Sequence, residues 1–509
     1  MKTTLFIILS KKNQKLITMV DFLSNFQHWC KITDLAAYLG LSVRSTQRLL
    51  NELTDTFFNY NNLSKDTISL QVNKSNGVKL ITANGMSSIS RFIRQITMDD
   101  TTFQIARSLF FNTFDSPVKC AEKYGISLAT VNYSLKKCSL FCQALGISFS
   151  TTSYKIIGSE QKIRIINYSI TWFLNRGIFW PDTYKIIDEQ KLLTNIDRLT
   201  TQIVGSEIIP MKKQKLAYFI ATNILRIRQK NYVIMQPEWK TFFNDQTDSI
   251  VEIVQNLYKE YHIHNEAEIY YLSVYWQSES RLYQEMDTKN EVIEIHKNNQ
   301  TIIYQLTNNF CELFSTEIIS IPEKLKPNVF QQAFFTHLNC SISKVNDYFS
   351  YDTVLFEKNS AIFPNLINKL AAFIEKMYIL TKNEIFINKE VLLRSYMAIY
   401  MTIKAPPLHE PPIYLYLETD LPYTEEVYIK NYLIKQFHHS FNLLFVETNF
   451  YKAPDVILSS ISIDDSLENY CQIKLSANFQ EPITHRSIHF IESKLKQLIQ
   501  QKYAENNFD

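Results

Sequence analysis

The strongest constraint on this chain is a pattern that it uses twice. Residues 32–49 read ITDLAAYLGLSVRSTQRL, and residues 117–134 read PVKCAEKYGISLATVNYS. With Gly40 placed over Gly125, Ala36 falls on Ala121, Leu41 on Ile126, Ser42 on Ser127 and Thr46 on Val131. These residue types do separate physical work. The small alanine lets two helices cross closely, and the glycine takes a left-handed turn that side chains with a Cβ resist. The apolar residue after it plugs the core, and the serine caps a second helix. The pattern predicts a helix-turn-helix, and two copies in one register predict a tandem.

Each copy is followed by the makings of a wing. After the first, Ile68–Val72 alternates, Asn76-Gly77 marks a tight turn and Val78–Ile81 returns. After the second, Ile147–Ser150, Thr151–Ser153 and Tyr154–Gly158 repeat the scheme. Helix-turn-helix units bind DNA or serve as protein-interaction modules. Charge favours DNA. Residues 1–165 carry 20 Lys and Arg against 10 Asp and Glu, a net of +10, whereas the whole chain is only +3. A basic head on an acidic body is the footprint of a polyanion binder.

Other features narrow the function by exclusion. No two of the 8 glycines have dinucleotide-fingerprint or P-loop spacing, and none follows Gly205. The 7 cysteines are odd in number and scattered, so no disulfide framework is implied. Cys138 and Cys142, one helical turn apart, read as a buried helix face rather than half a zinc site. The apolar run Leu5–Leu9 is too short for a signal peptide or a membrane span, so the expected location is cytoplasmic with no membrane partner. No nucleophile, metal set or phosphate loop emerges, so neither an enzyme nor a cofactor is expected. His438-His439 reads as a helix-end pair, and His262 and His264 lack a carboxylate set.

Beyond residue 165 the texture is helical. Apolar residues recur at three- and four-residue steps in Lys215–Ile227, Ile250–Tyr261, Glu266–Tyr275, Asn299–Leu313, Pro364–Leu380 and Lys389–Thr402. That length suits two bundles, with a break near Tyr283–Asn290. Four prolines in residues 404–412 predict a linker that is neither helix nor central strand. After it, Ile413–Leu417, Asn442–Val446, Val456–Leu458 and Gln472–Leu475 read as strands. Thr424–His438 and His485–Lys502 read as helices. Such alternation implies a small, mostly parallel α/β domain. The chain is thus mainly α and multidomain. A first winged unit lies in 1–85, a second in 86–164, helical domains in 165–286 and 287–405, and an α/β domain in 406–509.

The second helix of a helix-turn-helix enters the major groove with its N-terminal residues against base edges. In the first copy that face is Ser42, Val43, Arg44, Gln47, Arg48 and Asn51. Arg reads guanine bidentately, and Gln or Asn reads adenine. In the second copy it is Ser127, Leu128, Ala129, Asn132, Tyr133 and Lys136, with fewer base-reading groups. Phosphate contacts from Lys136, Lys137 and Lys155 and DNA shape are expected to matter more there.

This layout resembles the Mga/AtxA-type virulence regulators of Gram-positive bacteria, most specifically at LAAYLGLSVRSTQRLLNEL and CAEKYGISLATVNYSLKKC. The resemblance implies a DNA-binding transcription regulator whose bundles are similar to PTS-regulation domains, in which histidines accept phosphate from phosphotransferase carrier proteins. It also implies a C-terminal domain like a phosphotransferase IIB component, through which chains pair as a homodimer. The matching helices of the first bundle hold Tyr218, Phe219 and Tyr275 where histidines are expected. The matching helix Glu390–Ile399 in the second bundle has none. His337 is left as the phosphorylation candidate, against the plainer reading of a structural histidine. The loop Glu418–Pro422 lacks the cysteine of a phosphoryl-carrying IIB domain. The alternative function is a phosphotransferase-state sensor or scaffold that does not bind DNA.

Overall fold

The computed structural model describes residues 6–25, 28–64, 67–73, 75–204, 208–244, 249–279, 286–343, 363–447, 453–460, 470–473 and 483–506. The described residues are mainly helical. The chain divides into two compact units, Met1–Ile295 with Ile342–Ser350, and His296–Ser341 with Tyr351–Asp509.

The first unit begins with α1 (Lys11–Ser24), α2 (Ile32–Leu39) and α3 (Val43–Leu63). The hairpin β1 (Ile68–Asn73) and β2 (Gly77–Thr82) follows. The hairpin is antiparallel and pairs Asn73 with Gly77. Val78 and Cys30 exchange both backbone hydrogen bonds at 2.8 Å, which adds a one-residue third strand beside the wing. This close approach requires glycine at position 77. Its φ is +99°, and a Cβ there would lie 2.0 Å from the Cys30 carbonyl oxygen.

The second copy is built on α4 (Met86–Met98), α5 (Thr101–Phe110), α6 (Pro117–Tyr124) and α7 (Leu128–Ala144). Its wing is shorter than its sequence suggests. Strands β3 (Ser148–Phe149) and β4 (Ile156–Ile157) pair over two residues each. The reason is local. The Ser150 amide bonds the Lys155 carbonyl, and the Ser153 amide bonds Ser150 Oγ, so the intervening residues form a tight turn.

The helical part of this unit contains α8 (Glu160–Asn175), α9 (Glu189–Val204), α10 (Pro210–Arg228), α11 (Ser249–Lys259) and α12 (Glu266–Ser278). Its interior holds a charged network. Arg164 on α8 is fully buried and forks onto Glu268 of α12, at 2.6 and 2.9 Å. Its Nε reaches Glu160 at 3.0 Å, and Arg226 of α10 clasps Glu160 with two bonds of 2.7 Å. A bare buried charge is costly, but this one has carboxylates on two sides and donates to the Asn231 carbonyl.

After α13 (Met286–Asn298), the second unit contains α14 (Ile302–Leu313), α15 (Lys326–Ser343), α16 (Pro364–Thr381) and α17 (Lys389–Ile403). Its small sheet comprises β5 (Ile413–Glu418), β6 (Leu443–Phe445), β7 (Val456–Ser459) and β8 (Tyr470–Gln472), in the order β6-β5-β7-β8. All its pairings are parallel. Ile413, Leu415 and Leu417 alternate into a core formed with α18 (Tyr423–Phe437) and α19 (His485–Asn506). The strand expected at Gln472–Leu475 lies earlier, and Ser476 and its neighbours from 474 fall outside the described residues. So does part of the break expected near Tyr283–Asn290.

The proline-rich segment needs correction. Pro406–His409 is a 3-10 turn, with Pro406 and Pro407 buried. Proline is tolerated at the start of such a turn because no amide donor is required there. The next residue, Glu410, is also buried. It accepts hydrogen bonds from the Leu366 and Asn365 amides at the start of α16 and from the Tyr503 hydroxyl of α19. The segment is a docked joint within the second unit rather than a free linker.

The Arg164 network generates a stability prediction. Glu268→Ala leaves a buried guanidinium without its forked partner. It should cost about 3–5 kcal/mol in urea unfolding followed by circular dichroism. An unchanged midpoint would show that the network is dispensable.

Candidate nucleic-acid interface

The two turns are superimposable in their internal coordinates. Gly40 sits at φ 62°, ψ 35° and Gly125 at φ 61°, ψ 36°. The following amide, from Leu41 or Ile126, bonds back to the Ala36 or Ala121 carbonyl at 3.0 or 3.1 Å. These are the left-handed C-caps that the glycines require. Ser42 Oγ then caps α3 by accepting from the Ser45 amide at 3.2 Å. Ser127 Oγ caps α7 by accepting from the Thr130 amide at 3.1 Å.

At the start of α3, Val43, Arg44, Arg48 and Asn51 are exposed and Gln47 is half-buried. Gln47 Nε2 donates to Asn51 Oδ1 at 3.3 Å, so the two amides form one patch. Among the described residues, Arg44 and Arg48 have no ion-pair or hydrogen-bond partner, and their forks are free for an anion or a guanine edge. At the start of α7, Leu128, Ala129, Asn132, Tyr133 and Lys136 are exposed, as is Lys155 on the wing. Val43 and Leu128, at equivalent positions, are 50% and 47% exposed, which suits contact with a thymine methyl.

Lys137 does not belong to this face. It is buried, its ammonium donates to the Leu9 carbonyl at 2.6 Å, and it lies 5.2 Å from the Tyr133 ring centre. The repeat explains why. Lys137 occupies the register position of Glu52, and Glu52 also turns toward the N-terminal segment, pairing with Lys12 at 2.5 Å. In both copies this position holds the segment before or at the start of α1. The same segment is tied by Asp100, whose carboxylate accepts from the Ser10 amide and Asn13 Nδ2.

The cysteine reading follows from burial. Burial pushes the Cys138 thiol upward and the Cys142 thiol up to about 12, so both are inert apolar packing groups. No group of three or more His, Cys, Asp or Glu among the described residues could hold a metal ion.

His337, the phosphorylation candidate, lies in the interior of the second unit. It is fully buried on α15, with Nδ1 2.9 Å from Thr307 Oγ1 and Nε2 2.8 Å from the Tyr396 hydroxyl. The Thr307 hydroxyl gives its one proton to the Ile303 carbonyl, so Nδ1 must donate to it. Nε2 is then the unprotonated acceptor of the Tyr396 proton. Phe310 and Phe386 rings stand 5.5 and 5.8 Å from the imidazole. This is a neutral histidine with both nitrogens occupied. Sequence reading missed its counterpart, His296, also fully buried, with Nδ1 2.9 Å from Thr301 Oγ1.

Burial lowers the pKa of His337 from its ordinary 6.5 to about 3. A histidine depressed when folded binds its proton better when unfolded, so stability falls as pH drops below 6.5. At pH 5 this term removes about 2 kcal/mol. Urea unfolding of wild type and His337→Gln at pH 8 and pH 5 should show their stability gap shrinking by that amount. A gap independent of pH would contradict the neutral, buried assignment.

Comparison with known proteins agrees with the location of the second copy. Residues 86–170 match the Mga helix-turn-helix domain. The chain is 21% identical over 319 residues to the capsule synthesis positive regulator AcpA of Bacillus anthracis, covering 61% of this chain and 63% of that one. It is 22% identical over 228 residues to the anthrax toxin expression trans-acting positive regulator of the same organism, covering 45% of each. The chain thus spans less than two thirds of the length of either relative. Their names point to regulation rather than catalysis. No helix among the described residues is long and apolar enough to cross a membrane.

Proposed function

From its place in the Mga/AtxA-type regulator family, we propose that this chain is a DNA-binding transcription regulator that reads duplex DNA through α3 and α7. The observation that carries the reading is the repeated serine-capped helix start, with free Arg44 and Arg48 on the first copy. The +10 charge of residues 1–165 supports it. In this reading the first copy supplies sequence preference through Arg44, Gln47, Arg48 and Asn51. The second contributes Asn132 and phosphate contacts from Lys136 and Lys155. The five-part division into winged units, PTS-regulation-like bundles and a IIB-like domain belongs to the same proposal. Phosphotransferase control through His337 belongs to it with one requirement, that α14, α15 and α17 part for transfer, since both ring nitrogens are hydrogen-bonded.

The test is DNA binding by the full chain. Affinity should fall steeply between 50 and 200 mM salt, as phosphate neutralisation requires. Arg44→Ala with Arg48→Ala should lose roughly 1–3 kcal/mol per base contact and relax sequence preference, as read by selection from a randomised duplex pool. Unchanged selection would remove the first copy from base reading. Absence of any salt-dependent binding would favour a scaffold.

We also propose that the chain pairs through its C-terminal α/β region. Tyr423 and Tyr428 on α18, Leu444 on the edge strand β6 and Phe490 on α19 leave apolar surface exposed there. Pairing would bring two DNA heads together and raise avidity through effective concentration. Tyr428→Lys with Leu444→Lys should convert a dimer to a monomer in sedimentation equilibrium. Equal masses for the variant and wild type would place the interface elsewhere.

A further inference from the structure

The first unit contains a cleft of about 160 Å³ between α4, α5, α8 and the segment 179–183. Two arginines line it, Arg94 from α4 and Arg107 from α5. Arg94 is held in place. Its Nε and Nη2 donate to Asn175 Oδ1 at 3.1 and 2.9 Å, and its guanidinium lies 4.4 Å from the Phe179 ring centre. Arg107 differs. Among the described residues it has no hydrogen bond or ion pair, although it is half-buried. Its place in the last turn of α5 suits a cation, but that end effect does not account for an unpaired guanidinium turned into a cleft.

Other features of the cleft bear on its charge. Burial depresses both arginines, Asp182 at the rim partly offsets this for each, and Arg94 repels Arg107. Thr183 Oγ1, also lining the cleft, is shielded from solvent without a hydrogen-bond partner. Asp182 at the rim favours the charged form of both arginines without a direct ion pair to either. It is exposed and bonded to Lys185 at 2.9 Å. The remaining wall is largely apolar, with Phe103, Phe111 and Phe179. A cavity near 150 Å³ accepts a benzene-sized body.

We propose that this cleft binds a small oxyanion, a carboxylate or phosphate, carrying a flat apolar body. The fork of Arg107 receives the oxyanion, and the phenylalanines take the ring. The consequence is mechanical. Arg107 and Arg94 belong to the helices that precede the second helix-turn-helix, whereas Asn175 and Thr183 belong to the helical body of the same unit. An occupied cleft would fasten one to the other. The site does not rest on the DNA-binding reading.

The experiment is calorimetric titration of the full chain with phenyl phosphate and with benzoate, and with benzyl alcohol as the uncharged control. At least one anion should bind with one-to-one stoichiometry. Tighter phenyl phosphate assigns the phosphate form, and tighter benzoate the carboxylate form. Arg107→Met, which keeps the apolar stem, should weaken binding at least tenfold while leaving circular dichroism unchanged. Arg107→Lys should retain part of it. The Arg44→Ala, Arg48→Ala variant should bind like wild type, which separates this cleft from the DNA face. The proposal is overturned if neither anion binds, if benzyl alcohol binds as well, or if Arg107→Met retains wild-type affinity.

Discussion

Arg164 is a guanidinium with no exposed surface, and the arrangement of the first unit follows from that fact. Such a group is tolerated only when its donors are met. Here they are met by Glu160 one turn earlier on its own helix, by Glu268 on α12, and by the backbone at Asn231. Arg226 on α10 closes the far side of Glu160. Three helices from distant parts of the sequence can therefore approach only in the one arrangement that pairs every charge. The second wing ends at Ile157 and α8 begins at Glu160, so the network starts where the second helix-turn-helix copy stops.

Around His337 the second unit buries polarity without charge. His337 and His296 are both fully enclosed, and burial holds each imidazole neutral. The chain of hydrogen bonds from Tyr396 through His337 and Thr307 to the Ile303 carbonyl is satisfied by neutral partners in one sense only. Such a chain specifies packing because any helix displacement strands a buried polar atom. A phosphoryl group on His337 would bring about two negative charges into a site bounded by phenyl rings.

Much of the fold is legible in the sequence. The serine caps at Ser42 and Ser127 and the glycines at Gly40 and Gly125 specify their turns through local backbone chemistry. Helices such as Glu266–Ser278 and Pro364–Thr381 lie within a few residues of where apolar periodicity puts them. The parallel sheet follows from strands alternating with helices. The proline-rich joint was misread for an equally physical reason. Proline forbids an internal helix amide but not a 3-10 turn, and only the packing of Pro406, Pro407 and Glu410 against α16 and α19 shows that the segment is held.

The exposed face of the two helix-turn-helix copies divides the same way. Arg44, Arg48, Asn132 and Lys136 are exposed because helical spacing and the cap fix which side of α3 and α7 is outward, and those are properties of a short stretch of sequence. Lys137 follows Lys136 and reads as the same kind of residue, yet it bonds the Leu9 carbonyl, 128 positions away. His337 reads in sequence as either a phosphorylation candidate or a structural histidine, and only the fold shows that Thr307 and Tyr396 occupy its two nitrogens. Local sequence determined turns, caps, helix limits and charge. Burial, and with it the fate of each charged or titratable side chain, was decided by which remote segments meet it, because desolvation depends on neighbours in space rather than neighbours along the chain.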